Sequence, residues 1–181
     1  VTSYYSYLID TTSSVLGDFA SGTMKDTSLR RIVLISLTSS FNYDQDEYWS
    51  QEGRFDSIAQ PLLNQLSNIE DSIGKYLVKA ISALVSDVSS NEYNERILES
   101  LLKFISYDNE NSSNTKIWTI RTLKTIFQKM GELWLPYLPT LVPHIAELLE
   151  DEDEHVELEV REGLVRVIEK VLGEPLDKYL S

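Results

Sequence analysis

The 181 residues include no cysteine, which removes disulfide frameworks, thiolate zinc sites and cysteine nucleophiles together and fits a reducing compartment. Glycine is scarce, at seven residues, and none of it builds a phosphate-cradling loop or a GxSxG nucleophile elbow. Uninterrupted apolar runs of the roughly 18 residues that a membrane helix needs are missing too. Basic residues are outnumbered, with 16 Lys and Arg against 29 Asp and Glu, a net charge of -13. An excess of that size pushes the chain away from phosphate backbones and anionic membranes, so any nucleic-acid contact has to be local. The chain starts at Val1 rather than at methionine, which reads as a piece of a longer polypeptide whose targeting segment lies out of view.

What is present is a 42% share of hydrophobic residues, enough to bury a core as one domain or as a repeat array. Their spacing is helical. Tyr4, Tyr5, Leu8, Thr12, Val15, Leu16 and Phe19 recur at steps of three and four, which predicts a first helix. Leu29 to Phe41 holds the run Ile32-Val33-Leu34-Ile35, which could be a buried strand on its own. With no second such run to pair with it, the expectation is a helix buried on most sides. A loop follows through Asn42 to Asp46, and the helical pattern resumes at Phe55.

From there the pattern repeats. Ile58, Leu62, Leu63 and Leu66 match Ile97, Leu101, Leu102 and Ile105 at an offset of 39, and Ile97, Leu98, Leu101 and Ile105 match Leu141, Val142, Ile145 and Leu149 at 44. A second series interleaves with the first: Ile81, Leu84 and Val88, then Leu123, Ile126 and Met130, then Val165, Ile168 and Leu172, each 42 apart. Two alternating helices per period of about 40 residues is the signature of HEAT or armadillo repeats, as against about 33 or 34 for ankyrin and TPR units. The expected fold is therefore all-α: a HEAT-type α-solenoid of antiparallel helix pairs, running through 1–181 as one segment with approximate units 1–45, 51–89, 92–131 and 135–173. Pro61, Pro139 and Pro143 fall in or at the start of the first helices of these pairs, where they bend the helix. The period is least clear before about residue 50.

Few residues invite chemistry. The run Glu150-Asp151-Glu152-Asp153-Glu154 suits a basic partner or a divalent ion, but it sits just before the last long helix, where carboxylates cap exposed amides and meet the positive end of the dipole; capping is the stronger reading. His144 and His155, the only histidines, lie near Glu147 and Glu159, yet no HExxH or HxxxH pair sets two ligands on one face, and neither metal nor cofactor is expected. The triplet Asn111-Ser112-Ser113 matches a glycosylation acceptor without a secretory signal to make it one. Arg121, Lys124 and Lys129 lie opposite the stripe Ile120, Leu123, Ile126, Phe127 and Met130, with Trp118 projecting from the polar side as well. A cation-and-aromatic strip of this kind anchors a protein partner or holds RNA phosphate and base; otherwise it is a solvated face with Trp118 covering a loop. Trp49 and Trp134, near helix junctions, read as packing residues. Nothing here assembles an active site, so the chain is read as no enzyme.

The last third carries a more specific likeness. Leu135-Pro136-Tyr137-Leu138-Pro139, then Pro143-His144-Ile145-Ala146-Glu147-Leu148-Leu149-Glu150-Asp151, His155-Val156-Glu157 and Val171-Leu172-Gly173-Glu174-Pro175-Leu176 with Tyr179-Leu180 resemble the C-terminal end of the large HEAT-repeat subunit family of the U3 small-nucleolar-RNA particle. The likeness runs from about Lys116 to Ser181, and the VLGEPLxxY pattern is its most distinctive part. It implies the end of a long solenoid in the small-subunit processome, in the nucleolus of the nucleus, acting in pre-ribosomal RNA processing and supporting ribosomal DNA transcription. It implies an architectural role among protein subunits of a large ribonucleoprotein, with no catalytic residues to carry over. Given the acidic balance, protein contacts are expected first and RNA contact second. The alternatives are a HEAT scaffold of the nuclear-transport or phosphatase kind and a direct RNA-backbone binder acting through the Arg121 strip.

Overall fold

A computed structural model describes residue 17 and residues 27–180, and the helix expected over Tyr4 to Phe19 lies outside these. The described residues are all-helical and contain no strand. In order they form α1 (Thr27–Asn42), α2 (Glu52–Leu63), α3 (Asp71–Val88), α4 (Asn91–Lys103), α5 (Ser113–Met130), α6 (Leu138–Leu148), α7 (Glu154–Glu159), α8 (Val165–Leu172) and α9 (Asp177–Leu180). Tight 3-10 turns follow α2 at Asn64–Asn68 and α5 at Gly131–Tyr137, and a π turn at Val160–Leu164 joins α7 to α8 without a break. The chain divides into two compact units, 1–97 and 98–181, with the division inside α4.

Local chemistry sets the boundaries. The Ser112 hydroxyl accepts the Thr115 N–H at 3.1 Å to open α5, and the Asp153 carboxylate accepts the His155 N–H at 2.8 Å to open α7. Gly131 and Gly173 end α5 and α8 at φ of +56° and +79°, a region a side chain rarely enters. Pro139 sits in the first turn of α6, where its missing N–H costs nothing, whereas Pro61 and Pro143 lie inside their helices.

In the first unit, Leu34, Leu37, Phe55, Ile58, Leu62, Leu66, Ile73, Leu77, Ile81 and Leu84 are buried. Trp49 is completely buried; its Nε1–H donates to the Ser40 hydroxyl at 2.8 Å, and its ring meets Phe41 and Tyr48 edge to face. Two helix neighbours run side by side in the same direction. Thr27 reaches Glu70 where α1 and α3 begin, and Asp44 meets Asp87 where they end, in each case 43 residues apart. Between them the buried Arg30 donates to the side chain and the backbone carbonyl of Gln65, both at 3.0 Å. Likewise α2 and the start of α4 are joined by the ion pair Arg96–Asp56 and by Phe55 stacked on Tyr93 at 3.9 Å, at separations of 40 and 38.

The expected burial of α1 on most sides is not met. The run from Ile32 to Ile35 is helical, but it is not enclosed: Ile32 is 58% and Ile35 49% exposed, and α1 buries only Arg30, Leu34, Leu37 and Phe41, a single stripe at steps of three and four. An apolar run that circles a helix does not say which sides have neighbours.

In the second unit the core holds Leu101, Ile105, Ile120, Leu123, Ile126, Phe127, Leu141, Ile145, Leu148, Val156, Val160, Leu164 and Ile168. Trp134 is completely buried, as a packing residue should be, against the edges of Phe127 and Tyr137. Across this unit α5 and the continuous helix of α7 and α8 lie parallel, tied by Lys116–Asp151 near their starts and by Arg121–Glu159 further on. Most positions of the two apolar series are buried; Leu102, Val142, Leu149, Met130, Val165 and Leu172 are half-exposed.

Candidate interaction surface

Helix α5 positions all four residues of the expected strip, but it does not present them as a free cationic face. Arg121 Nε donates to Glu159 Oε1 at 2.8 Å, with Nη2 at 3.5 Å from Oε2, and its guanidinium lies 4.5 Å from the centre of the Trp118 ring. That stack carries cation–π attraction, and the carboxylate fixes the plane of the fork. Lys124 lays its stem along the π turn, its Cδ within 3.6 Å of where a side chain on Gly163 would begin. Lys129 is exposed in the last turn, where its charge suits the negative end of the dipole.

Trp118 departs from its expected orientation: it is 8% exposed and does not project into solvent. The cause is a buried face wider than the apolar letters suggest. Thr115, Thr119 and Thr122 are buried as well, and the last two direct their hydroxyls to the carbonyls of Thr115 and Trp118 at 2.7 and 2.8 Å. A threonine whose hydroxyl is satisfied within its own helix presents a methyl to its neighbours, so α5 is covered on two sides.

Near the start of α5, an open groove of about 790 Å³ is lined by Tyr107, Lys116 and the carboxylates of Glu147, Glu150 and Asp151 to Asp153. Lys116 Nζ is bound to Asp151 Oδ2 at 2.7 Å. The acidic run does what the capping reading required, since Asp153 holds the first amides of α7; the Ser113 hydroxyl, and then the His155 amide, keep its carboxyl below the usual carboxylate range. His155 is exposed, and His144 half-buried with Nδ1 meeting no protein partner. Among the described residues no group of three or more His, Cys, Asp or Glu side chains is arranged to hold a metal ion, and no helix is long and apolar enough to cross a membrane.

Chemically, this surface can recognise shape and charge. Glu159 offsets the charge of Arg121, the nearby groove is acidic, and a phosphate approaching the strip would have to displace a carboxylate already in place. Glu159, which the sequence sets near the histidines, is bonded to Arg121 instead. Their spacing of 38, close to the apolar repeat, was the available signal. The sequence did not single out Asp44 and Asp87, which sit in no motif.

A family model described as the BP28CT (NUC211) domain matches residues 1–49. The chain is also 75% identical over 185 residues to the "U3 small nucleolar RNA-associated protein 10" of Lodderomyces elongisporus, and 72% identical over 181 residues to the protein of that name from Candida albicans. The namesake from Kluyveromyces lactis is 52% identical over 182 residues. Each match takes in 100% of this chain and 10% of the relative, so the chain spans about a tenth of the length of these proteins. Identity of that order along the whole sequence places the chain in the family of the U3 small nucleolar RNA-associated protein 10.

Proposed function

We propose that this chain is a non-catalytic scaffold segment of the small-subunit processome, built as a HEAT-type solenoid with repeat units near 1–45, 51–89, 92–131 and 135–173. It works in the nucleolus, in ribosome biogenesis, by holding protein subunits in place for pre-ribosomal RNA processing and ribosomal DNA transcription. The observation that carries this reading is the regular tie between helices about 40 residues apart: Thr27–Glu70, Arg96–Asp56 and Arg121–Glu159 each join one helix to a partner roughly one repeat further on. The names of the relatives, which speak of association with U3 small nucleolar RNA, supply the setting.

Arg121, Lys124 and Lys129 are the contact residues of this proposal, with buried Trp118 and Glu159 holding the Arg121 guanidinium as a shaped surface for protein. The charge balance of 29 acidic to 16 basic residues favours that over general RNA binding. To test it, the full-length protein is tagged and recovered from cell extract with and without ribonuclease, and what accompanies it is identified. Processome subunits that stay bound after ribonuclease are the expected result, and their complete loss would sink the protein-docking reading in favour of RNA contact. Recovery of unrelated cargo would overturn the setting itself. For the strip, Arg121→Gln with Lys124→Gln is preferable to charge reversal, because a glutamate at 121 would face Glu159; undiminished recovery of every subunit would remove these residues from the contact surface.

A further inference from the structure

The segment after α8 folds back over the second unit. Gly173 turns the chain, Leu176 is completely buried, and its N–H donates to Glu169 Oε2 on α8 at 2.9 Å. From there α9 packs against α6. Glu174 accepts from Lys178 Nζ at 2.8 Å and from the Tyr179 hydroxyl at 2.7 Å, which closes Glu174 to Tyr179 into one compact loop. Asp177, Lys178 and Tyr179 are exposed, whereas Leu180 is half-buried. Leucines four apart, with polar residues between them, give the segment one apolar and one polar side. Beneath it, α6 has more apolar surface than the core takes up. Leu138, Leu141, Ile145 and Leu148 are buried, and Val142, Ala146 and Leu149, at steps of four and three, form a second stripe that is half-buried.

We infer that Glu174–Leu180 is a cap on α6, held by Leu176, that keeps this side of the second unit from pairing with a second copy of the same chain. Stacked helices hide such a side under the next pair, or under a capping element whose outer face is polar, and this segment has that second construction. Its hold is small, one buried leucine and one amide bonded to a carboxylate, so tethering to α8 supplies the rest. A second copy is the competitor because α6 can meet itself about a two-fold axis, stripe against stripe. Little charge opposes that pairing, since among Asp, Glu, Lys and Arg the helix carries only Glu147.

A photoreactive benzoylphenylalanine at Val142 of the full-length protein tests it, in a mixture where half the copies carry heavy isotopes so that adducts within and between copies differ in mass. In the parent, the expected adduct joins α6 to Glu174–Leu180 of the same copy. Leu176→Asp removes the anchor and should raise the adduct between α6 of one copy and α6 of another about fivefold or more over the parent. Hydrogen exchange of α5 amides reports whether the unit stays folded. Where Leu176→Asp speeds that exchange, Glu169→Ala decides, because it frees the Leu176 amide without altering an apolar side chain, and it should raise the same adduct. A parent adduct outside Glu174–Leu180, no rise in the adduct between copies in a folded variant, or a rise only in adducts to other proteins or RNA overturns the inference. The processome reading turns on which subunits are recovered and is tested separately.

Discussion

Asp44 and Asp87 turn their carboxyl groups toward each other at the C-terminal ends of α1 and α3, where like charges would repel. Asp44 already accepts the Tyr48 and Trp49 amides at 2.8 and 3.0 Å, while the buried Asp87 Oδ2 meets no N–H or O–H donor. Their contact is a hydrogen bond only when a proton sits between them, and burial, the Asp44 hydrogen bond, and the Asp44 and Glu47 charges push Asp87 up to about 8.

Stability should therefore depend on pH in a definite direction. The folded state holds the proton to about pH 8, whereas the unfolded chain releases it near 3.8, so this contribution is fully present below about pH 4 and is lost as the pH rises through 8. Asp87→Asn keeps a donor for Asp44 without the ionisation. Allowing for the partial exposure of the site, it should stabilise the protein by ~1–2 kcal/mol at pH 8 and by little near pH 4. Thermal melts of both proteins between pH 4 and 9 check this, and parallel curves would refute it.

The two completely buried tryptophans should respond differently to the same change. Trp49 donates to Ser40, whereas Nε1 of Trp134 is buried and meets no protein acceptor. Trp49→Phe loses a hydrogen bond and strands the Ser40 hydroxyl, but Trp134→Phe removes an unsatisfied donor. Denaturant titrations should show Trp49→Phe as the costlier by ~1 kcal/mol.

Arg30 is 4% exposed, and Gln65 is fully buried beneath it. Arg30→Met removes both hydrogen bonds to Gln65 and should cost ~2 kcal/mol, and in a Gln65→Leu background, where one of the two acceptors is already gone, it should cost less. A double-mutant cycle read by urea unfolding gives the coupling, and strictly additive losses would contradict it.

Gly173 ends α8 at a φ of +79°, with nothing within 4 Å of where a Cβ would stand. Space is therefore not the constraint; backbone conformation is. Gly173→Ala should cost ~1 kcal/mol, while the same substitution at Gly53, in the first turn of α2 and also without near neighbours, should cost nothing or stabilise slightly. Equal effects at the two sites would dispose of the argument.

The helices were legible because apolar side chains at steps of three and four are what a one-sided burial demands. Burial of each helix around its circumference was not legible. Thr119 and Thr122 read as polar and pack as methyls, which put Trp118 inside, and Ile32 and Ile35 read as core and face outward. The cationic strip was visible as composition only, because a sequence does not announce that Glu159 will take the fork of Arg121. The capping role of Asp153 was readable for the opposite reason: its carboxylate takes an amide only two residues further along the chain.

The ties between helices also bear on how such a chain is made. Thr27–Glu70, Arg30–Gln65, Arg121–Glu159 and Lys116–Asp151 close loops of 35 to 43 residues. Closing a loop of that length costs little more entropy than closing one half as long. Each tie can form as soon as its second helix leaves the ribosome, so this stretch can settle one helix after another during synthesis.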